Sequence, residues 1–364
     1  MQIKEITNYL ESLSPLGSQE SYDNSGLICG DKNWELTNAL ISLDCLESTV
    51  DEAIQKGCNL IISHHPIVFK GLKKINGSNY IERVLISAIK HDIALYAIHT
   101  NLDNYKLGVN KKIGDLLGVK HPKILAPASQ SLEKLSVFTP VTHQDSVLNA
   151  LFDAGAGHIG NYSECSFSSE GNGSFKANEK AAPHVGEKNQ RHYEPEVKLE
   201  VLMSTHRKNA IIQAMLSTHP YESVAYDIVP INNLNYDEGS GMYGELDKPL
   251  PTLDFLKHLK SIFNCGVIRH TNIHQKNIKK VAWCGGSGSF LLPNAKGVDA
   301  DIYITGDFKY HEFFDAENKI IIADIGHFES EQFTIELIHE ILSKKFTTFA
   351  AYLTESKTNP VNYF

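Results

Sequence analysis

Three segments of the sequence place metal-binding residue types at or just beyond the end of an apolar run. The segments are LIISHHP at 60–66, LYAIHTNLD at 95–103 and IIIADIGHFESE at 320–331. In open α/β sheets, ligand sites collect beyond the carboxyl ends of the strands. Three strands that end at one edge would therefore bring imidazole and carboxylate groups together, which predicts a metal site. The five candidate ligands are His64, His65, Asp103, His327 and Glu331.

The spacing of these ligands favours two metal ions. His64 and His65 are adjacent, so at a strand end their side chains point to opposite sides, and two neighbouring ions accept them more easily than one. His327 and Glu331 are four residues apart and share a face if the chain is helical there. A carboxylate can bridge two ions, which makes Asp103 and Glu331 the candidate bridges. The prediction is two divalent ions per chain, with zinc as first choice and iron, manganese, cobalt or nickel also compatible.

Each candidate ligand also has a structural interpretation. A buried histidine often serves packing, although two imidazoles at the end of an apolar strand still need polar partners. Asp103 could cap a turn or the next helix. Glu331 could be a carboxylate in the first turn of a helix, where the helix dipole favours it by roughly 0.3–1 kcal/mol.

Further polar residues follow the same strands and are candidates for acid–base or supporting roles. His99 lies four residues before Asp103 and could orient a ligand or contact substrate. Asp307 and His311, in TGDFKYH at 305–311, are spaced to share a helical face and could be supporting or proton-transfer groups. The structural interpretation of these two residues is that Asp307 caps a helix and that His311 is a surface histidine. The turn GGSGS at 285–289 could hold phosphate through backbone N–H groups, but it lacks the P-loop lysine pattern.

The elements around these segments suggest an α/β core that is interrupted once. Apolar strands alternate with helices in residues 1–125 and again in 245–364, which predicts a sheet covered on both faces. We interpret these as core lobe 1 and core lobe 2, separated by an inserted domain at 126–244.

The inserted domain has its own pattern. Strand, helix, strands, helix and strand follow one another, which is the ferredoxin-like order. A hairpin is predicted from Tyr162–Phe167 and Gly173–Ala177, and an exposed loop from Asn178–Glu196.

Composition narrows the class of protein. Of the 364 residues 42% are hydrophobic, which is enough for packed cores. The formal net charge of −9 makes nucleic acid an unlikely partner.

The amphipathic start MQIKEITNYLESL is not a signal peptide, and no apolar run approaches the roughly 18 residues of a membrane span. The six cysteines form no CxxC pair. Reduced cysteines and a cytoplasmic location are therefore expected.

The assembled motifs resemble the Ngg-one-interacting factor-three-like family of the YbgI/YqfO type, whose members are labelled GTP cyclohydrolase 1 type 2 homologs. The matching segments are DNSGLICG (23–30), ISHHPIVF (62–69), HTNLD (99–103), GGSGS (285–289), TGDFKYH (305–311), DIGHFESE (324–331) and, in the insert, GNGSFKA (171–177) and THPYESVAYDIVPI (218–231). The resemblance covers nearly the whole chain. It implies a dinuclear centre on the five ligands named above, a two-lobed α/β core, a PII/CutA-like insert and a toroidal homohexamer. One departure is Met242-Tyr243, where many relatives carry an arginine; if that arginine contacts a phosphate, binding of an anionic substrate is less well supported here.

Two functions of different classes follow. The first is a dinuclear metal-dependent hydrolase. The resemblance suggests GTP as its purine nucleotide substrate, with water attacking C8 of the guanine ring and formate leaving. The second is a non-catalytic metal-binding, regulatory or partner-binding ring. An open coordination position separates the two, because a catalytic metal site keeps one and a structural site is closed.

Overall fold

A computed structural model describes all 364 residues. The chain forms two compact units, one made of Met1–Pro127 with Asp237–Phe364 and the other of Ala128–Tyr236. The finer division of the first unit into two lobes, with bounds 1–125 and 245–364, stays a prediction.

The unit made of Met1–Pro127 and Asp237–Phe364 is here called the discontinuous unit. In its first part, strands alternate with helices. Its strands are β1 Gly26–Cys29, β2 Ala39–Ser42, β3 Leu60–Ser63, β4 Ala94–Ala97 and β5 Lys123–Ala128. Its helices are α1 Ile3–Leu13, α2 Glu47–Gln55, α3 Tyr80–Lys90, α4 Thr100–Asn104 and α5 Val109–Leu116. Local sequence explains their limits: the side chain of Asn79 accepts the backbone N–H of Glu82 and so caps the start of α3.

The unit Ala128–Tyr236 is one continuous stretch of the chain. Its elements follow the ferredoxin-like order that the sequence predicts. Its elements are β6 Leu132–Pro140, α6 Gln144–Asp153, β7 Ser166–Lys176, β8 Arg191–Ser204, α7 Lys208–Thr218 and β9 Tyr226–Ile231. The strands form one antiparallel sheet in the order β7-β8-β6-β9. Buried Leu135, Val137, Leu199 and Val201 of the sheet pack with apolar residues of both helices.

The prediction of a hairpin in the unit Ala128–Tyr236 is wrong. Residues of both predicted hairpin strands lie in the single strand β7, which pairs along its whole length with β8. The predicted loop Asn178–Glu196 is too long at its end, because β8 begins at Arg191. Gly171 and Gly173 are residues typical of a hairpin turn, but they occupy extended positions in β7.

The rest of the discontinuous unit follows. Its strands are β10 Asn235–Pro251, β11 Arg269–His270, β12 Asn277–Ser287, β13 Ile302–Gly306, β14 Ile321–Asp324 and β15 Ala351–Leu353. Its helices are α8 Thr252–Ile262, α9 Leu292–Gly297, α10 His327–Glu331 and α11 Thr334–Lys345. Short 3-10 helices cover Leu16–Ser18, Val141–His143, Thr205–Arg207, Ser289–Leu291 and Tyr310–Ala316.

Two sheets of the discontinuous unit position the candidate ligands. One has the order β1-β4-β3-β2-β15, in which β4, β3, β2 and β15 are parallel. The other has the order β11-β14-β13-β12-β10-β5, with β12, β13 and β14 parallel. Parallel neighbours end at a common edge, so the residues that follow β3 and β4 meet, as do those that follow β12 and β14. The predicted mixed α/β fold is confirmed, and no helix is both long and apolar enough to cross a membrane.

Candidate metal centre

The five predicted ligands converge at the carboxyl ends of the strands. His64 and His65 follow β3, Asp103 lies on α4 just after β4, and α10 carries His327 and Glu331 just after β14. Nε2 of His65 lies 3.0 Å from Glu331 Oε2 and 3.3 Å from His327 Nε2. Nε2 of His64 lies 3.6 Å from Asp103 Oδ1 and 3.8 Å from Glu331 Oε1.

Three groups of possible ligands occur at the centre; one is His64, His65 and His99, and the other two share one carboxylate. His64, Asp103 and Glu331 form one group, and His65, His327 and Glu331 form the other. Within each group the potential ligand atoms all lie within 4.8 Å of one another. Oε1 of Glu331 faces His64, whereas its Oε2 lies 3.1 Å from His327 Nε2 and contacts His65. The two oxygens of Glu331 therefore face different groups.

Each of the three histidines has its Nδ1 atom occupied. His64 donates from Nδ1 to the Ile98 carbonyl over 2.8 Å, and His65 donates to Asp44 Oδ1 over 2.7 Å. His327 donates to Asp307 Oδ2 over 2.7 Å. Because Nδ1 donates to the protein in each case, Nε2 is the ring atom that faces the centre and is available to a metal ion, as in most metal-binding histidines.

Two buried atoms at the centre lack any hydrogen-bond partner. They are Nε2 of His64 and Oδ1 of Asp103, which face each other across 3.6 Å. An unpaired buried polar atom costs about 1–3 kcal/mol, so two together are unusual without a ligand. A nitrogen lone pair and a carboxylate oxygen are both donors to a cation, and the residues present therefore fit a divalent metal ion.

The electrostatics of the centre also favour positive charge. Burial lowers the pKa of His65, but its contacts with Asp44 and Glu331 outweigh burial and raise that pKa to about 9. Burial is likewise outweighed at His327, where Asp307 and Glu331 raise the pKa to about 11. Burial favours neutral Glu331, but the surrounding histidines hold the pKa of this carboxyl well below its usual range. The ionised Glu331 therefore attracts protons, or a metal cation in their place.

A cavity of about 1000 Å³ opens beside the centre. Its size is at the upper end of ordinary ligand pockets. Apolar and aromatic side chains form much of its wall, including Tyr22, Phe69, Leu72, Phe290 and Val361. The segment formed by residues 354–363, here called the C-terminal segment, supplies Asn359, Pro360, Val361 and Tyr363 to this wall. A small organic molecule can thus approach the ligand groups.

The glycine-rich segment after β12 makes room for the carboxylate and does not form a phosphate cradle. The N–H of Gly285 donates to Asn110 Oδ1 and that of Gly286 to Ser330 Oγ, so neither is free for an anion. Gly286 has φ +62°, and a Cβ atom there would overlap Oε1 of Glu331. Glycine is required at this position by both the backbone conformation and the close approach.

The three secondary candidates have different environments. His99 lines the cavity, and its Nδ1 donates to Asp23 Oδ1 over 2.8 Å. Asp307 also lines the cavity and holds His327. His311 is exposed on the surface, with its ring against Tyr310 and Phe314, and it is not among the residues that line the cavity.

Sequence reasoning missed Asp44 and did not assign a role to Asp23. Asp44 lies two residues beyond the end of β2, so the rule that found the other candidates would also have found it. Asp23 precedes β1 in the segment DNSGL, where no strand end points to it. Its carboxylate accepts the N–H and the hydroxyl of Thr100 as well as His99.

The fold and this centre define a class: an α/β protein with a histidine- and carboxylate-lined site that could hold metal. The chain matches the family model described as Duf34/NIF3 (NGG1p interacting factor 3) over residues 1–360, and it belongs to this family.

Curated bacterial relatives support the assignment. The chain is 40% identical over 324 residues to a "GTP cyclohydrolase 1 type 2 homolog" of Halalkalibacterium halodurans, covering 88% of this chain and 87% of the relative. It is 37% identical over 366 residues to the protein of the same name from Bacillus subtilis, covering 99% and 98%. The crystal structure of a Bacillus cereus protein related to NIF3 matches with a TM-score of 0.85 at 36% identity, covering 100% of this chain and 99% of that one.

Proposed function

We propose that the protein is a metal-dependent hydrolase that holds two divalent ions, one in each group of ligands, with Glu331 as the bridge. The observation that carries this proposal is the division of the ligands into two groups that share Glu331. With Glu331, His64 and Asp103 would hold one ion and His65 and His327 the other, which leaves coordination positions for water and substrate. Adjacent ions bridged by a carboxylate are typical of hydrolytic two-metal sites.

When bound, such ions supply a water nucleophile at neutral pH and polarise the substrate. The protein's own groups hold the ligands in place: Asp44 orients His65, and Asp307 orients His327. Apolar side chains form part of the cavity wall, and a substrate packed against them would displace water from around the ligand groups.

The pair His99 and Asp23 is suited to proton transfer. Asp23 fixes His99 through Nδ1, which leaves Nε2 as the group that can donate or accept a proton. The His99 ring centroid lies 5.2 Å from that of His64 and 5.3 Å from that of His65. A substrate between the ligand groups and Phe69 would therefore lie within reach of His99, which packs against both.

The substrate proposed is a purine nucleotide such as GTP. The support is the name that the relatives carry, GTP cyclohydrolase 1 type 2 homolog, together with a cavity large enough for a nucleotide. A first water would add to C8 of the guanine ring and open the imidazole ring to a formamide, and a second water would hydrolyse the formamide so that formate leaves. The homohexamer that the resemblance implies stays a prediction, which the mass of the protein in solution tests.

The decisive experiment compares wild-type protein with His65→Ala. Elemental analysis after metal loading should give about two ions per chain in the wild type and fewer in the variant. Formate release from GTP should depend on the metal and fall in the variant. Two bound ions without turnover would retain the metal centre and point to another substrate or to metal handling, whereas no binding under any loading condition would refute the proposal.

A further inference from the structure

The cavity beside the ligand groups has two permanently charged cations in its wall. They are Arg269 and Lys70, and the other charged residues of the wall, histidines aside, are carboxylates. Lys70 is exposed near Phe69. Arg269 differs from Lys70 because several contacts hold its guanidinium in a fixed position.

Three contacts position Arg269 on the edge strand β11. Its Nη2 donates to the carboxylate of Asp324 and, over 3.0 Å, to the carbonyl of Phe308. The guanidinium carbon lies 5.5 Å from the centroid of the Phe313 ring, an arrangement that favours a cation. Asp324 is itself buried, and it accepts the N–H groups of Phe308 and Gly326. The arginine is therefore held by a rigid partner.

This arrangement leaves donors of Arg269 without an acceptor. Both hydrogen bonds use Nη2, and the structure gives no protein acceptor to the Nε and Nη1 donors. The side chain of Arg269 is 53% exposed while that of Asp324 is 3% exposed. Within this ion pair, only the arginine is therefore accessible to a ligand. A guanidinium held in one orientation with free N–H groups is a preferred partner for oxyanions.

Carboxylates near Arg269 do not block such a role. Asp324 is occupied by Phe308, Gly326 and Arg269 itself. Asp307, whose pKa is lowered mainly by its hydrogen bond with His327, lies close enough for the charge of Arg269 to contribute to that shift. Asp307 contacts His327. Arg269 therefore lies on the side of the cavity next to the group formed by His65, His327 and Glu331.

We propose that Arg269 is the anion-binding residue of the cavity and that the substrate carries an oxyanion group, a phosphate or a carboxylate, which binds to its Nε and Nη1 donors while the reacting atoms face the ligand groups. This inference rests on the proposed function, because it assumes that the cavity receives the substrate. It also addresses the arginine missing at 242–243: Met242 is buried there, and Arg269 supplies a positive group from a different strand.

The test measures binding of small anions to the metal-loaded protein by calorimetry, without turnover. Inorganic phosphate and acetate are titrated separately into wild type, Arg269→Gln and Arg269→Lys, with metal content measured before and after. Arg83→Gln is the matched control, because Arg83 is also a half-exposed arginine paired to a carboxylate, Glu47, but does not line the cavity.

Arg269→Gln should weaken binding of one or both anions about tenfold, the size of one charge-assisted hydrogen bond. The affinity of Arg269→Lys should lie between those of Arg269→Gln and the wild type, and the affinity of Arg83→Gln should match that of the wild type. The comparison of phosphate with acetate identifies which oxyanion is preferred. Equal affinities in Arg269→Gln and wild type at equal metal content, or no saturable binding in the wild type, would overturn the proposal. Failure to hydrolyse GTP would count against the proposed reaction only, since these titrations use neither GTP nor catalysis.

Discussion

Thr358 and Asp44 are joined by a hydrogen bond of 2.7 Å, donated from Thr358 Oγ1 to Asp44 Oδ2. The other oxygen of Asp44, Oδ1, accepts the Nδ1–H of His65. Thr358 is buried although it lies near the end of the chain. The C-terminal segment is thus connected through one carboxylate to a candidate metal ligand, in addition to lining the cavity.

Replacing Thr358 should therefore weaken metal binding. Thr358→Val keeps the shape but removes the hydroxyl, so Asp44 loses a donor and holds His65 less firmly. Loss of a direct supporting partner typically costs about 10–100-fold in metal affinity, and this more remote change should cost about tenfold or less. Competition with a chromophoric chelator measures the affinity. Thr358→Ser retains the hydroxyl and should behave like wild type; equal affinities in all three proteins would show that the contact does not act on the metal centre.

Gly286→Ala should disrupt the centre by displacing a carboxylate. The added Cβ would overlap Oε1 of Glu331, and the backbone has φ +62°. Gly118 is a suitable control because it has φ +73° with nothing within 4 Å of an added Cβ. Each alanine should cost roughly 1–2 kcal/mol in folding stability from the left-handed conformation. Only Gly286→Ala should reduce metal content, and the same loss in Gly118→Ala would contradict this explanation.

Glu331→Gln should affect both ions, because Glu331 belongs to both ligand groups. The amide is neutral and binds cations poorly, so metal stoichiometry should fall toward zero. Glu329→Gln is the control on the same short helix, since Glu329 is also buried but faces Asn359. Metal analysis after gel filtration distinguishes the variants. Retention of one full equivalent in Glu331→Gln would exclude it as the bridge.

Stability in acid should depend on Glu52. Burial raises the pKa of this residue, but hydrogen bonds from Lys56, Thr354 and Ser356 outweigh burial and lower it to about 2. Because the pKa in the folded protein lies below the usual value of 4.5 for a glutamate, the contribution to stability is complete above pH ~4.5 and is lost as the pH falls to about 2. The contribution is on the order of 2 kcal/mol.

Urea unfolding of metal-free protein between pH ~2 and 6 checks this expectation. The wild type should lose stability more steeply than Glu52→Gln over the acid part of this range, and the two curves should converge at the lowest pH. Parallel curves would show that Glu52 does not titrate in this range.

The convergence of the five candidate ligands could be predicted from the sequence, for a physical reason. Each ligand segment is an apolar run that ends in polar residues, and parallel strands ending at one edge bring such residues together. Two adjacent histidines at a strand end have few other uses. The contact between Thr358 and Asp44 was harder to predict, because the two residues are 314 residues apart and nothing in the sequence around Thr358 points to the centre.

Errors occurred where local patterns were weak or misleading. Strand β7 contains Ser, Gly and Asn without clear apolar alternation, so its central glycines resembled a turn. The apolar spacing at Phe333, Leu337, Ile338, Ile341 and Leu342 predicts one helix over Ser330–Lys344, but the structure has two helices there, α10 and α11, with a break at Gln332 and Phe333. No Gly or Pro marks that break. Gln332 ends α10, and its side chain donates to the carbonyl of Phe263, a tertiary contact that local spacing does not reveal.

The distribution of the candidate ligands along the chain has a consequence for biosynthesis. His64, His65 and Asp103 precede the unit formed by residues 128–236, and His327 and Glu331 follow it. During translation, the paired histidines leave the ribosome long before the carboxylate common to both groups has been made. A nascent chain therefore has only part of the candidate ligand set, and the two groups that share Glu331 form only after the last helices have emerged and docked.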